Sequence, residues 1–241
     1  MNKLSTKTLE RIARIVIADY YRLPAVRGTI PDRIDPELLT RDLLGLRVEY
    51  HRLSADLSIL GLTTFEKMEI QFFDSDSSQD NFCFLDGRTV FVESQLKDDP
   101  RQIGRYRFTL MHEGCHHILN RLFPFSYGIN NPERNKLHFY RTCDEQRQQI
   151  TDWEEWQTNT LAAAILMPED LIDRAMFRFD LGEKIGILCK ILYRDVYLRF
   201  CCMAEYLGVS KKALAIRLKQ LGRLKQEYLE RPYDLISVCY E

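Results

Sequence analysis

The sequence lacks the features that mark several classes of protein. Its 34 basic and 35 acidic residues give a formal net charge of −1, so no global field attracts nucleic acid or an anionic membrane. It contains no uncharged apolar run of about 18 residues, as a membrane-spanning helix would require. Its first residues show no long apolar stretch of the secretory type. We therefore expect a cytoplasmic protein with no membrane partner, in which nucleic acid could bind only at a local patch.

Paired cysteines are also missing. The seven cysteines are odd in number, are unevenly spaced and stand mostly in apolar runs, and none of them forms a CxxC pair. A disulfide framework and a cysteine-based zinc knuckle are therefore not expected.

The order of the hydrophobic patterns predicts an α+β fold. Helical spacing covers residues 4–22, and a short helix after Pro36 stops near Gly45. Short β-rich runs follow, and the dipeptide Asp86-Gly87 predicts a tight hairpin between NFCFL and RTVFVES. From residue 100 the pattern is helical almost to the end. The prediction is a small, mostly antiparallel sheet followed by helices, with a helical C-terminal region.

The stretch TLMHEGCHHILNRLF contains an HExxH motif on a predicted amphipathic helix. His112 and His116 stand one turn apart on one face, so both imidazoles can reach one ion, and Glu113 lies on a neighbouring face where it can act as a base. Imidazole ligands suit zinc. The alternative is a surface helix whose histidines bond to neighbours, and His117, which projects about 100° away from His116, fits that description.

A catalytic zinc site normally needs a third protein ligand, and TDWEEWQTNTLAAAILMP offers one. Thr151 and Glu154 have the spacing of a capping box, which leaves Glu155 free to bind metal. Asn159 shares the face of Glu155 and could orient a ligating histidine. The competing candidates for the third ligand are Asp144, Glu145 and Glu154.

The two motifs together resemble the ImmA/IrrE family of metallopeptidases. RYRFTLMHEGCHHIL and EEWQTNTLAAAILMP resemble the family patterns RFTLAHExxH and ExxANxFAAxLLMP, in the same order. IDPELLTRDLLGLRVEY and GVSKKALAIRLKQLG are similar to the family's N-terminal and C-terminal parts. The chain departs from the pattern at Gly114-Cys115, Thr158 and Leu161, which puts substrate fit in doubt more than metal binding.

The resemblance implies a zincin-like fold and a set of roles. By position, His112, His116 and Glu155 match the zinc ligands, Glu113 the catalytic glutamate, and Asn159 the family's asparagine. It also implies a site-specific endopeptidase that cleaves a repressor protein, in a mobile element or a stress response. The predicted cofactor is Zn²⁺ and the predicted partner is that repressor.

The predicted mechanism leaves one role open. Glu113 would move a proton from water to the leaving amine. A further electrophile could come from His138, Tyr140 or Arg141, and the sequence does not choose among them. The peptide would lie extended along a sheet edge, for which GRTVFVES is the candidate.

The C-terminal region suggests a rival function. Residues 200–225 resemble a helix-turn-helix, with a turn at Gly208-Val209 and Ser210 as N-cap. Residues 211–225 contain six basic residues and no acid, so they could contact phosphates, although a packed helical hairpin explains the pattern as well. The six are Lys211, Lys212, Arg217, Lys219, Arg223 and Lys225. The predicted domains are thus a metallopeptidase over residues 1–185 and a helical region over 186–241. The alternative function is a DNA-binding transcriptional regulator with a structural or vestigial metal site.

Overall fold

The computed structural model describes residues 4–72, 81–124, 138–141 and 153–234. The chain divides into two compact units, of which unit 1 comprises Met1–Ile30 and Ile34–Leu166, and unit 2 comprises Pro31–Arg33 and Met167–Glu241. The domain boundary at residues 185/186 stays a prediction. Among the described residues, no helix is both long and apolar enough to cross a bilayer.

After the N-terminal helix, strands precede the long helices of unit 1, as predicted, but one further strand, His138–Arg141, lies in the region where the sequence suggested helix. The helices are α1 (Thr6–Tyr20), α2 (Pro36–Leu38), α3 (Ser94–Asp98), α4 (Ile103–Leu122), α5 (Trp153–Leu166), α6 (Glu169–Arg178), α7 (Arg194–Leu207) and α8 (Lys211–Gln220). The strands are β1 (Arg47–His51), β2 (Ile59–Thr63), β3 (Lys67–Phe72), β4 (Asn81–Asp86), β5 (Thr89–Glu93), β6 (His138–Arg141), β7 (Ile185–Cys189) and β8 (Leu224–Tyr228).

A four-stranded sheet in the order β1-β5-β2-β6 forms the centre of unit 1. β5 runs parallel to β1 and antiparallel to β2, and β2 runs antiparallel to β6. β3 and β4 form a separate antiparallel pair. The α+β class is confirmed, with mostly antiparallel pairing in the central sheet.

The predicted hairpin at Asp86-Gly87 is wrong. β4 pairs with β3, while β5 pairs with β1 and β2, so the chain passes from one sheet to the other at this dipeptide. Gly87 has a φ of +75°, and a Cβ there would lie 2.6 Å from the Phe65 carbonyl oxygen. The Asp86 carboxylate accepts hydrogen bonds from the Arg88 amide and the Thr89 hydroxyl. The dipeptide forms a tight turn, but β5 pairs with β1 and β2, which lie much earlier in the sequence.

β5 is also not the open edge that the sequence suggested for a peptide substrate. It lies between β1 and β2, and all five of its residues are buried. A strand buried on both sides is often nearly continuous in apolar residues, and Val90, Phe91 and Val92 at the centre of β5 fit that pattern. Among the described strands, β1 and β6 are the outer strands of this sheet.

The helix α5 packs against both α1 and α4. Ala162 and Ala164 of α5 are buried, and such small side chains allow two helices to approach closely. The Leu4 amide at the start of the chain donates a hydrogen bond of 2.8 Å to the Gln157 side-chain oxygen on α5. α4 in turn packs against β2 and β5, so it lies between the sheet and α5.

In unit 2 the predicted pair of helices joined by a short turn is present, together with two strands that were not predicted. α7 ends at Gly208, which has a φ of +64°, and the Ser210 side chain accepts a hydrogen bond from the Ala213 amide at the start of α8. β7 and β8 pair in parallel where the sequence suggested helix almost throughout. A short apolar run such as IGILC cannot be assigned by periodicity alone.

Most of the basic side chains that suggested a phosphate-contacting face are engaged within unit 2. Arg217 is fully buried, and its Nε donates to the Met167 carbonyl oxygen at 2.9 Å. Three others form ion pairs, so less charge is available to phosphate groups. A nucleic-acid partner stays a prediction. The ion pairs are Lys212–Glu230 (3.0 Å), Lys219–Glu227 (3.2 Å) and Arg223–Asp173 (2.9 Å).

Candidate metal centre

The helix α4 carries the HExxH motif into the interior of unit 1. His112 and Glu113 are fully buried, and His116 is 1% exposed. The motif therefore does not lie on a solvated helix surface, which was the alternative reading. Burying three ionisable side chains in a core is costly unless each has a partner.

The structure brings the two motif histidines and Glu155 of α5 together. Nε2 of His112 lies 3.1 Å from Nε2 of His116 and 3.1 Å from Oε2 of Glu155. Nε2 of His116 lies 3.3 Å from Oε1 of Glu155. The three side chains thus present one donor atom each toward a common point, as a group that could hold a metal ion.

The spacing of these donor atoms fits a small divalent cation. Zinc binds imidazole nitrogen and carboxylate oxygen at about 2.0–2.1 Å in tetrahedral geometry, which places neighbouring ligand atoms roughly 3.3 Å apart. The His112–His116 separation of 3.1 Å is close to that value, whereas the two Glu155 distances involve different carboxylate oxygens, and one donor atom from each residue lies within 4.8 Å of the others. Two neutral imidazoles and one carboxylate are also a ligand set typical of catalytic zinc.

The electrostatics of the donor set favour metal-binding protonation states. Burial lowers the pKa of His112 below its ordinary value, so the ring is neutral and can offer a lone pair. Burial alone would raise the pKa of Glu155, but the adjacent imidazoles of His112 and His116 outweigh it and hold that pKa below the ordinary range. Glu155 is therefore an anion across the physiological range.

Among the competing candidates for the third ligand, Glu154 faces the other side of His116. Its Oε1 lies 4.0 Å from Nδ1 of His116, the nitrogen that points away from the common point. Its predicted capping partner, Thr151, lies outside the described residues, as do Asp144 and Glu145. The described geometry therefore favours Glu155 over Glu154 as the third donor.

Asn159 lies next to the donor set, as its position on the Glu155 face predicted. Its Oδ1 is 3.1 Å from Nδ1 of His112. Because an amide oxygen can only accept, His112 must carry its proton on Nδ1, which leaves Nε2 free to face the common point.

Removal of this hydrogen bond should weaken metal binding. We expect Asn159→Ala to raise the zinc dissociation constant about 10- to 100-fold, the usual effect of losing a partner that orients a ligating histidine. Competition with a chromophoric chelator measures it. Asn159→Asp keeps an acceptor oxygen and serves as the control. Unchanged affinity in the Ala variant would show that Asn159 does not orient His112.

Glu113 occupies an unusual environment. Both carboxylate oxygens are buried, and neither has a hydrogen-bond partner among the described residues. Burial raises the pKa of Glu113 well above its ordinary range, and the negative charge of Glu155 raises it further. A buried carboxylate without a partner among the described residues is uncommon, and buried groups with strongly shifted pKa values are candidates for functional sites.

His117 bonds to a neighbouring side chain, as predicted, but it is buried rather than on a helix surface. Its Nε2 lies 2.7 Å from the Thr63 hydroxyl, and its ring packs edge-on against Phe65. Burial lowers its pKa to about 3, so the ring stays neutral. It has no donor atom in the group formed by His112, His116 and Glu155.

A family profile matches more than half of the chain. Residues 62–219 match Peptidase_M78, the IrrE N-terminal-like domain. The chain belongs to this family. A search of curated proteins found no match. Membership of Peptidase_M78 supports a metallopeptidase, which is a hydrolase, and agrees with the ImmA/IrrE resemblance and the zincin-like α+β fold.

Within Peptidase_M78, this chain's departures from the motif pattern are in its core. Cys115, Thr158 and Leu161 are each fully buried, and a Cβ on Gly114 would lie 3.0 Å from the Met111 side chain. These positions therefore affect packing around the metal centre, whereas the sequence suggested an effect on substrate fit.

Sequence reasoning missed one residue at the site and left another role open. Gly61 on β2 faces Glu113 closely, and no local signal in ILGLT indicates that contact. The candidate electrophiles are His138, Tyr140 and Arg141. The structure describes their backbone, which belongs to β6 and pairs with β2. Their side chains lie outside the described part of the structure, so that role stays open.

Proposed function

We propose that the protein is a zinc-dependent endopeptidase that cleaves a repressor-type regulatory protein at a specific site. One observation supports this most: a buried carboxylate without a hydrogen-bond partner among the described residues lies on the same helix as two histidines that converge on Glu155. That combination of ligands and base is the one that metal-assisted hydrolysis of a peptide bond requires.

Three protein donors support a catalytic site over a purely structural one. Structural zinc sites are almost always closed by four protein ligands, whereas catalytic sites use three and keep one position open. Among the described residues the group contains His112, His116 and Glu155 and no fourth member. A structural site would also give no reason for the buried carboxylate of Glu113.

The protein's own residues would divide the work as follows. His112, His116 and Glu155 hold the zinc, which, when bound, polarises the scissile carbonyl and lowers the pKa of water. Glu113 accepts the proton of the attacking water and delivers it to the nitrogen of the leaving amine. Asn159 keeps the His112 ring in the orientation that ligation needs.

An extended peptide substrate would bind along the sheet. β5 is excluded because it is paired on both sides, which leaves the outer strands β1 and β6. β6 is the neighbour of β2, the strand that approaches Glu113 at Gly61. We therefore favour strand addition at β6, where backbone hydrogen bonds would hold the peptide and side-chain pockets would set specificity.

The rival function is a DNA-binding regulator with a structural or vestigial metal site. It rests on the basic residues of the C-terminal region, most of which have partners inside unit 2. A salt-dependent mobility shift without zinc binding would favour it. Zinc at one ion per chain without a mobility shift would favour the peptidase.

The test is cleavage of a candidate repressor encoded beside the protein's own gene. We expect the zinc-loaded protein to cut it at one position, a chelator to stop the reaction, and added zinc to restore it. Mass spectrometry of the fragments locates the bond. If the candidate stays intact, digestion of a proteome-derived peptide library distinguishes a wrong substrate from a protein without peptidase activity.

A further inference from the structure

Gly61 of β2 lies against the helix α4 at Glu113. A Cβ at position 61 would stand 2.6 Å from Oε1 and 3.0 Å from Cγ of Glu113, and 2.7 Å from Cγ2 of Thr109. Real Cβ atoms essentially never come closer than 3.0 Å to other atoms. Gly61 is not among the residues with a positive φ, so its backbone conformation does not require glycine. The space does.

Packing must fix the position of the Glu113 carboxylate. Neither of its oxygens has a hydrogen-bond partner among the described residues, and the side chain is fully buried. The hydroxyl of Thr109, one turn earlier on α4, is buried and without a partner among the described residues as well. Since no described residue forms a hydrogen bond with it, the carboxylate is positioned by the groups packed around it, and Gly61 is one of them.

We propose that Gly61 is a positioning residue for Glu113. Because Gly61 has no side chain, the Glu113 carboxylate can pack directly against β2. This packing keeps the carboxylate in the orientation in which it accepts a proton from water. This inference rests on the proposed function, in which Glu113 is the base. It adds a residue that touches neither the substrate nor the donor set.

A methyl group at position 61 would meet two side chains of α4. The end of the Glu113 side chain is flexible and can swing away, whereas the contact of 2.7 Å with Cγ2 of Thr109 needs a small shift of β2 or of that side chain. We therefore expect a loss of rate from the displacement of Glu113 and a loss of stability from the contact with Thr109. A base displaced by about 1 Å loses on the order of 10²-fold in rate.

The experiment compares Gly61→Ala with Gly186→Ala, a strand glycine in β7 whose Cβ would meet no atom within 4 Å. We expect Gly61→Ala to lower kcat about 10²-fold with an unchanged KM and one zinc per chain. Gly186→Ala should match the native protein in all three. If the kcat of folded Gly61→Ala equals that of Gly186→Ala, the positioning role is wrong.

A second measurement does not depend on cleavage. Glu113→Ala removes two of the three atoms closest to the added methyl group, so Gly61→Ala should lower Tm less in that background than in the native one. Equal losses of Tm in both backgrounds would contradict the inferred contact between position 61 and Glu113. If Gly61→Ala does not fold, recovery of folded protein by Glu113→Ala supports the inference, and failure to recover refutes it. Absence of cleavage by the native protein would instead refute the proposed function.

Discussion

Glu113→Gln is expected to abolish cleavage while leaving one zinc ion per chain. The amide has the size of the carboxylate but cannot accept a proton from water, and general acid–base catalysis contributes about 10²- to 10⁴-fold to such reactions. Zinc should remain because Glu113 has no atom in the donor group formed by His112, His116 and Glu155. Single-turnover cleavage of the substrate and the metal content of the purified variant measure the two effects.

The folded state should tolerate this substitution. The side chain of Glu113 is buried without a hydrogen-bond partner among the described residues, and its pKa is raised, so a neutral amide of the same size should be no more costly to bury than the carboxyl group. We expect a Tm equal to or above that of the native protein. A Glu113→Gln variant that retains zinc and cleaves at near the native rate would show that another group is the base.

The arrangement of His112, His116 and Glu155 could be predicted largely because its signals are local. The spacing of His112 and His116 predicts that they share one face of a helix. The spacing of Glu155 and Asn159 predicts the same for a second helix. The structure brings these two faces together, with Asn159 on Nδ1 of His112. Only the pairing of the two helices needed information beyond local spacing, and the order of the two motifs supplied it through the family resemblance.

The contacts that sequence reasoning missed are long-range ones. β5 was predicted as half of a hairpin because Asp86-Gly87 has hairpin chemistry, yet its partners are β1 and β2. A turn dipeptide specifies the local backbone, whereas strand pairing depends on which apolar faces meet in the fold. The approach of Gly61 to Glu113 is also a long-range contact. The sequence around either residue does not predict that the two are close.

Loss of the third ligand should release the metal. We expect Glu155→Ala to lower zinc affinity by more than the roughly 10- to 100-fold that an orienting partner contributes. The variant loses the oxygens that lie 3.1 Å and 3.3 Å from the two histidine nitrogens. The Glu155 side chain is about one third exposed, so its truncation should disturb the core little. Metal content after dialysis and a competition titration give the affinity.

Glu154→Gln provides the matched comparison on the same helix. Glu154 is adjacent in sequence, but its Oε1 is 4.0 Å from Nδ1 of His116 and lies outside the donor group. Because it is buried, glutamine is chosen to keep its volume. This variant should retain one zinc per chain. The reverse result, with zinc lost from Glu154→Gln and kept by Glu155→Ala, would make Glu154 the ligand and would require α5 to rotate about its axis when the metal binds.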